Sequence, residues 1–84
     1  MAFDAVFTTS FEKDIRSIKR DKILFERLLN KVDEILQNPE HYKPLKNVLK
    51  GKRRAHIGSF VILFEVETDK VIFYRFEHHD KVYD

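Results

Sequence analysis

Arg54-Ala55-His56-Ile57-Gly58-Ser59-Phe60-Val61-Ile62-Leu63-Phe64-Glu65-Val66-Glu67-Thr68-Asp69-Lys70-Val71-Ile72-Phe73-Tyr74 is the stretch whose reading decides the fold. Gly58-Ser59 suits a two-residue hairpin turn, because glycine takes positive φ without steric cost. Thr68-Asp69 suits a second turn, with Glu67 and Lys70 facing each other across it as an opposite-charge pair. The runs on either side are rich in β-branched and aromatic residues, so the stretch predicts an antiparallel meander. The two turns set a register in which His56 opposes Val61, Arg54 opposes Leu63, Val66 opposes Val71, Phe64 opposes Phe73 and Val61 opposes Phe76. Side chains alternate between the faces of a sheet. One face then carries Ala55, Ile57, Phe60, Ile62, Phe64, Val66, Val71 and Phe73, and should pack on helices. The other carries Arg54, His56, Val61, Leu63, Glu65, Tyr74, Phe76 and His78, and is expected to be open, polar and basic.

Upstream, Phe3 to Phe7 alternates like a short strand. Thr9 and Glu12 have the spacing of a capping box, with Phe11, Ile15 and Ile18 following at helical spacing. Asp21 suits the N-cap of a second helix whose apolar stripe is Leu24, Leu28, Val32, Ile35 and Leu36, widened by Phe25 and Leu29. Asn38-Pro39 ends it, since proline cannot continue a helix. The expected fold class is α+β: an N-terminal strand, an α-helical hairpin with its junction around Lys19–Lys22, then a three-stranded antiparallel meander packed on the helices. At 84 residues, residues 1–84 are expected to form one domain.

Composition narrows the function classes. Hydrophobic residues make up 43% and include eight Phe, enough for a core, and there is no Cys. Thiolate catalysis, disulfides and thiolate metal sites are thereby excluded. No run approaches membrane-spanning length and the first residues have no apolar leader-like segment, so a cytoplasmic protein without membrane partners is expected. The net charge is only +2, but its distribution is uneven. Between Glu40 and Glu65 there is no acidic residue, while Lys43, Lys46, Lys50, Lys52, Arg53 and Arg54 join His41 and His56. Such a one-signed window makes a positive field suited to phosphate, although basic runs also serve solubility alone.

Leu49-x-Gly51, Arg54-x-His56-Ile57-Gly58-Ser59-Phe60-Val61-Ile62-Leu63-Phe64 and His78-His79-x-x-x-Tyr83 together resemble the signature of the RelE/ParE toxin superfamily. The order strand, two helices, basic loop and meander agrees with it. The resemblance implies a toxin of a type II toxin–antitoxin pair and, in its RelE branch, an mRNA interferase that enters the ribosomal A site and cuts the message without cofactor or metal. It also implies a RelB-like antitoxin as partner. Arg54 falls where the family places a catalytic Lys or Arg, His56 where a second is usual, His79 where a C-terminal Arg is usual, and Tyr83 on the terminal Tyr. The phosphate-stabilising Arg of the central strand falls at Val61. Alternatives under the same resemblance are a ParE-like inhibitor of DNA gyrase and a degenerate relative that only binds antitoxin or RNA.

RNA cleavage by the ribose 2′-hydroxyl needs a base, a cation at the phosphate and an acid for the leaving 5′-oxygen. Histidine can serve as either base or acid near neutrality. The candidate roles are His56 as base, His79 or Tyr83 as acid, and Arg54 as the phosphate-stabilising cation. Lys46, Lys50, Lys52, Arg53 and His78 are the candidate RNA-binding residues. A surface or packing role is the commoner fate of an isolated strand histidine, and phosphate anchoring without chemistry is the commoner role of an Arg pair. A metal site at His78-His79 is not expected: alternation would send the two side chains to opposite faces, and no carboxylate or Cys completes a set.

Overall fold

The computed structural model describes residues 3–45 and 51–81. Strand β1 (Asp4–Phe7) leads into helices α1 (Thr9–Ser17) and α2 (Lys22–Gln37), then a 3-10 turn at Pro39–His41. Strands β2 (Arg53–Ile57), β3 (Phe60–Val66) and β4 (Lys70–His78) follow. The meander β2-β3-β4 is antiparallel, and β1 adds to it in parallel beside β4, giving the order β1-β4-β3-β2. The α+β architecture expected from the sequence is the one observed. None of the described helices is long and apolar enough to cross a membrane.

Local chemistry explains the element boundaries. Thr8, not Thr9, caps α1: its hydroxyl oxygen accepts from the Phe11 backbone N–H at 3.1 Å. The expected cap was one residue late because Thr8 has a second task, its hydroxyl donating to the Tyr74 carbonyl on β4 at 3.1 Å. Asp21 caps α2 as expected, its carboxylate accepting from the Leu24 N–H at 3.1 Å. Asn38 ends α2, and Pro39 starts the short turn behind it. Gly58 takes φ +58° in the β2–β3 turn, where a Cβ would be strained.

The predicted register holds through β2 and β3: Arg54 pairs with Leu63, His56 with Val61, Phe64 with Phe73 and Val66 with Val71. It breaks between Leu63 and Phe64, where β4 carries Tyr74 as one residue too many. Such a bulge switches every later side chain to the other face. Val61 therefore opposes Glu77 rather than Phe76, and Phe76 opposes Ile62. Phe76 is buried in the core, stacked on Phe60 with ring centroids 5.1 Å apart. His78 likewise leaves the expected open row; it opposes Phe60 and meets its ring edge-on at 5.9 Å.

The core lies between the helices and the predicted apolar face. Phe11, Leu28, Val32 and Ile35 pack against Ala55, Ile57, Ile62, Phe64, Val71, Phe73 and Phe76. Phe7, Phe11 and Phe73 form a triangle of rings, Phe11 lying 5.5 and 5.3 Å from the other two, which are 5.5 Å apart. The other face is not uniformly open. Val61 (0% exposed) and Leu63 are buried there, with Leu45 packed against them. Leu45 is held in place by its N–H, which donates to the Lys52 carbonyl at 2.7 Å, and by a bridge between Pro44 and Arg53. The expectation of a polar, basic face was wrong at its centre, because a loop closes over two apolar residues whose burial it completes.

Candidate phosphate-binding and catalytic site

Arg54 and His56 lie two apart on β2 and are exposed on the same face, which sets their Cα atoms roughly 6.7 Å apart along the strand. Beside them the chain after α2 folds back so that His41, Tyr42 and Lys43 join Arg54, Ala55 and His56 around a depression of about 290 Å³. Among the described residues, none that lines it is acidic. Tyr42 fixes this wall: its ring meets Phe64 edge-on at 5.7 Å, and its carbonyl accepts from Arg53 Nη1 at 2.7 Å. The sequence reading gave Tyr42 no role and left His41 and Lys43 out of the site. Their membership of the acid-free window was the available signal.

The remaining sequence candidates divide. The Arg53 guanidinium is engaged with Tyr42, so part of its donor set holds the loop to β2. Lys52 places its ammonium 4.6 Å from the centre of the Tyr74 ring, a cation–π contact. The Tyr74 hydroxyl in turn donates to Glu65 at 2.8 Å, and this bond to a carboxylate holds the phenol above its ordinary pKa, with burial adding to the effect. Lys46, Lys50 and Tyr83 lie outside the described residues.

His78 and His79 are at the far end of β4, where the strand closes onto the β2–β3 turn. His79 donates its backbone N–H to the Ser59 carbonyl at 2.9 Å, and its Nδ1 lies 3.1 Å from the same oxygen. His56 is two residues before Gly58 in that turn, so His56, His78 and His79 share one end of the sheet. The expectation that alternation separates His78 from His79 fails, because β4 ends at His78 and a turn follows. Their ring centroids are 4.5 Å apart, and the Asp80 carboxylate reaches both, at 3.4 Å from His78 Nδ1 and 3.0 Å from His79 Nε2.

A carboxylate not singled out in the sequence holds this end of β4. Past Phe7, β1 no longer covers the β4 edge, and Asp14 of α1 takes its place. It accepts from the Phe76 backbone N–H at 2.8 Å and from Arg75 Nε at 2.9 Å. Arg75 also pairs with Glu77. The hydrogen bond to Asp14, with the charges of Asp14 and Glu77 in support, outweighs burial and raises the Arg75 pKa.

Residues 5–83 match a family model described as the ParE toxin of a type II toxin–antitoxin system. The chain belongs to the RelE/ParE toxin superfamily. A Methanocaldococcus jannaschii protein that provisionally carries the name toxin RelE4 is 44% identical over 78 residues, covering 88% of this chain and 83% of that protein. Among solved structures, the RelBE2 toxin–antitoxin complex from Mycobacterium tuberculosis superposes with a TM-score of 0.81 at 22% identity, covering 94% of this chain and 100% of the other. The E. coli DinJ–YafQ toxin–antitoxin complex superposes at 0.80 with 16% identity, each chain covered in full. At such identities the structures establish the RelE/ParE fold. Val61, where the sequence resemblance places an Arg, is buried with Leu63 under Leu45.

Proposed function

We propose that this toxin is an endoribonuclease of the RelE kind, cutting mRNA in the ribosomal A site by attack of the ribose 2′-hydroxyl on the adjacent phosphate. The observation that carries the reading is the depression, with no acidic residue among its described lining, in which His41, Lys43, Arg54 and His56 converge, since a positively charged concavity is what a phosphodiester requires. In the cleavage step His56 takes the 2′-hydroxyl proton as the new O–P bond forms. Arg54 stabilises the charge that grows on the phosphate oxygens. The P–O5′ bond breaks, and His79 gives its proton to the leaving oxygen, leaving a 2′,3′-cyclic phosphate. In-line displacement places base and acid on opposite sides of phosphorus. His56 on β2 and His79 just past β4 stand on either side of β3 at one end of the sheet, with the two strands roughly 10 Å apart.

Primer extension on an mRNA translated in a cell-free system tests the proposal. Wild type should cut within codons at the A site, and the His56→Ala, His79→Ala double variant should not. The absence of cuts with wild-type protein would refute it. A second reading follows from the matched family model, which describes a ParE toxin: inhibition of DNA gyrase without cleavage, read directly in a supercoiling assay. Under either reading the partner is an antitoxin, as in the RelBE2 and DinJ–YafQ complexes. The neighbouring gene product should raise the melting temperature on mixing.

A further inference from the structure

We propose that His78, His79 and Asp80 form a binding site for a divalent late first-row transition-metal ion, with Zn2+ and Cu2+ as the fitting cations. The three side chains each offer one ligand atom, and all three atoms lie within 4.8 Å of one another. Tetrahedral coordination at roughly 2.1 Å per bond separates ligand atoms by roughly 3.4 Å. His78 Nδ1 to Asp80 Oδ2 is 3.4 Å and His79 Nε2 to Asp80 Oδ1 is 3.0 Å, so each imidazole nitrogen lies near that separation from one of the two carboxylate oxygens. The rings are substantially exposed, 41% for His78 and 54% for His79, so an ion can reach them from solvent.

The hydrogen bonds around the cluster supply an independent argument. The Ser59 carbonyl can only accept, so the hydrogen shared with His79 at 3.1 Å belongs to Nδ1. In the neutral ring that leaves the lone pair on Nε2, facing a carboxylate oxygen at 3.0 Å. A proton on Nε2, or a metal ion in its place, satisfies that oxygen. A backbone carbonyl holding the far nitrogen of a histidine is also the usual outer support of a metal-bound imidazole, fixing its tautomer and orientation. On His78 the Asp80 backbone N–H points at Nδ1 from 3.3 Å, which marks the lone pair there. This is a long bond on an exposed turn, and water can replace it when an ion binds. Two imidazoles and one carboxylate suit Zn2+ and Cu2+ and discriminate against Mg2+, which prefers oxygen ligands and its own waters. Three protein ligands leave a fourth position for water.

If His79 acts as the proposed acid, which rests on the functional reading above, a bound ion occupies its Nε2 and suppresses cleavage. The binding site itself is tested without any activity. Isothermal titration of Zn2+ into the full chain should give one saturable site, with Mg2+ giving none. His78→Ala and Asp80→Asn should each weaken binding by at least about tenfold, since even outer supports of a ligand are worth roughly 10–100-fold in affinity. A His41→Ala, His56→Ala variant should bind as wild type does. With Cu2+, electron paramagnetic resonance should show nitrogen coupling that weakens in His78→Ala. No saturable Zn2+ binding, equal affinity in His78→Ala and Asp80→Asn, or loss of binding in the His41→Ala, His56→Ala variant would overturn the assignment.

Discussion

Replacing Asp14 by alanine should destabilise this protein by about 1.5–3 kcal/mol and loosen the end of β4 that carries both C-terminal histidines. The magnitude follows from what the carboxylate holds. Its side chain is only 12% exposed and accepts from Arg75 Nε at 2.9 Å, from Arg75 Nη2 at 3.4 Å and from the Phe76 N–H at 2.8 Å. Stranding a backbone donor at a covered strand edge costs about 1–2 kcal/mol. The Arg75 contacts contribute less, about 0.5–1 kcal/mol, because that side chain is 38% exposed and keeps Glu77 as a partner. For a domain of this size about 1 kcal/mol moves Tm by roughly 4–8 °C, so Asp14→Ala should melt about 6–24 °C below wild type. Asp14→Asn, which retains an acceptor oxygen for Phe76, should lose about half as much. Thermal denaturation followed by circular dichroism measures the shift, and amide hydrogen exchange locates it. Faster exchange at Phe76 is required; a drop in Tm with Phe76 protection intact, or a loss below about 4 °C, would refute the argument that Asp14 stands in for the missing strand.

Three further predictions concern the opposite face and the candidate site. The folded-state pKa of Tyr74 lies above the ordinary 10.0, chiefly through its hydrogen bond to Glu65. Its stabilising contribution is therefore fully present below pH 10 and is lost as pH rises through the folded value. Urea denaturation of wild type and Tyr74→Phe should show their stability difference shrinking at alkaline pH and constant below it. Val61→Arg restores the superfamily's usual side-chain type at a fully buried position against Leu63 and Leu45. It should cost at least about 2 kcal/mol through a buried charge and expelled packing, and a variant as stable as wild type would contradict the seating of Leu45. His56→Ala, at an exposed position, should leave Tm within a degree or two of wild type. Cleavage in the translated-mRNA assay should fall by about 10²–10⁴-fold, the range of general acid–base catalysis.

Much of the fold was legible because its signals are local. Turn residues at Gly58-Ser59, the Asp21 cap and the Asn38-Pro39 stop act within a few residues, and strand and helix periodicity identified the face that packs. These features determined the α+β class, the β2–β3 register and most of the core. Sequence also marked the acid-free window, and with it the basic composition of the depression.

What the tertiary structure decided depends on residues distant in the chain. The bulge at Tyr74 belongs to β4, yet it sits where β1 ends and where Thr8 and Asp14, both more than 60 positions away, take over its edge. No pattern within β4 announces that change, so alternation carried past it misplaced Phe76 and His78. Burial of Val61 likewise needs Leu45 from a loop paired to β2, and Tyr42 becomes the wall of the site only when it meets Phe64. At the C-terminal end of β4, strand periodicity stops at His78, and the turn beyond it gathers His78, His79 and Asp80 into one cluster. Composition and periodicity set which residues could do chemistry here. Long-range hydrogen bonds and strand ends, which obey no local repeat, set which of them meet.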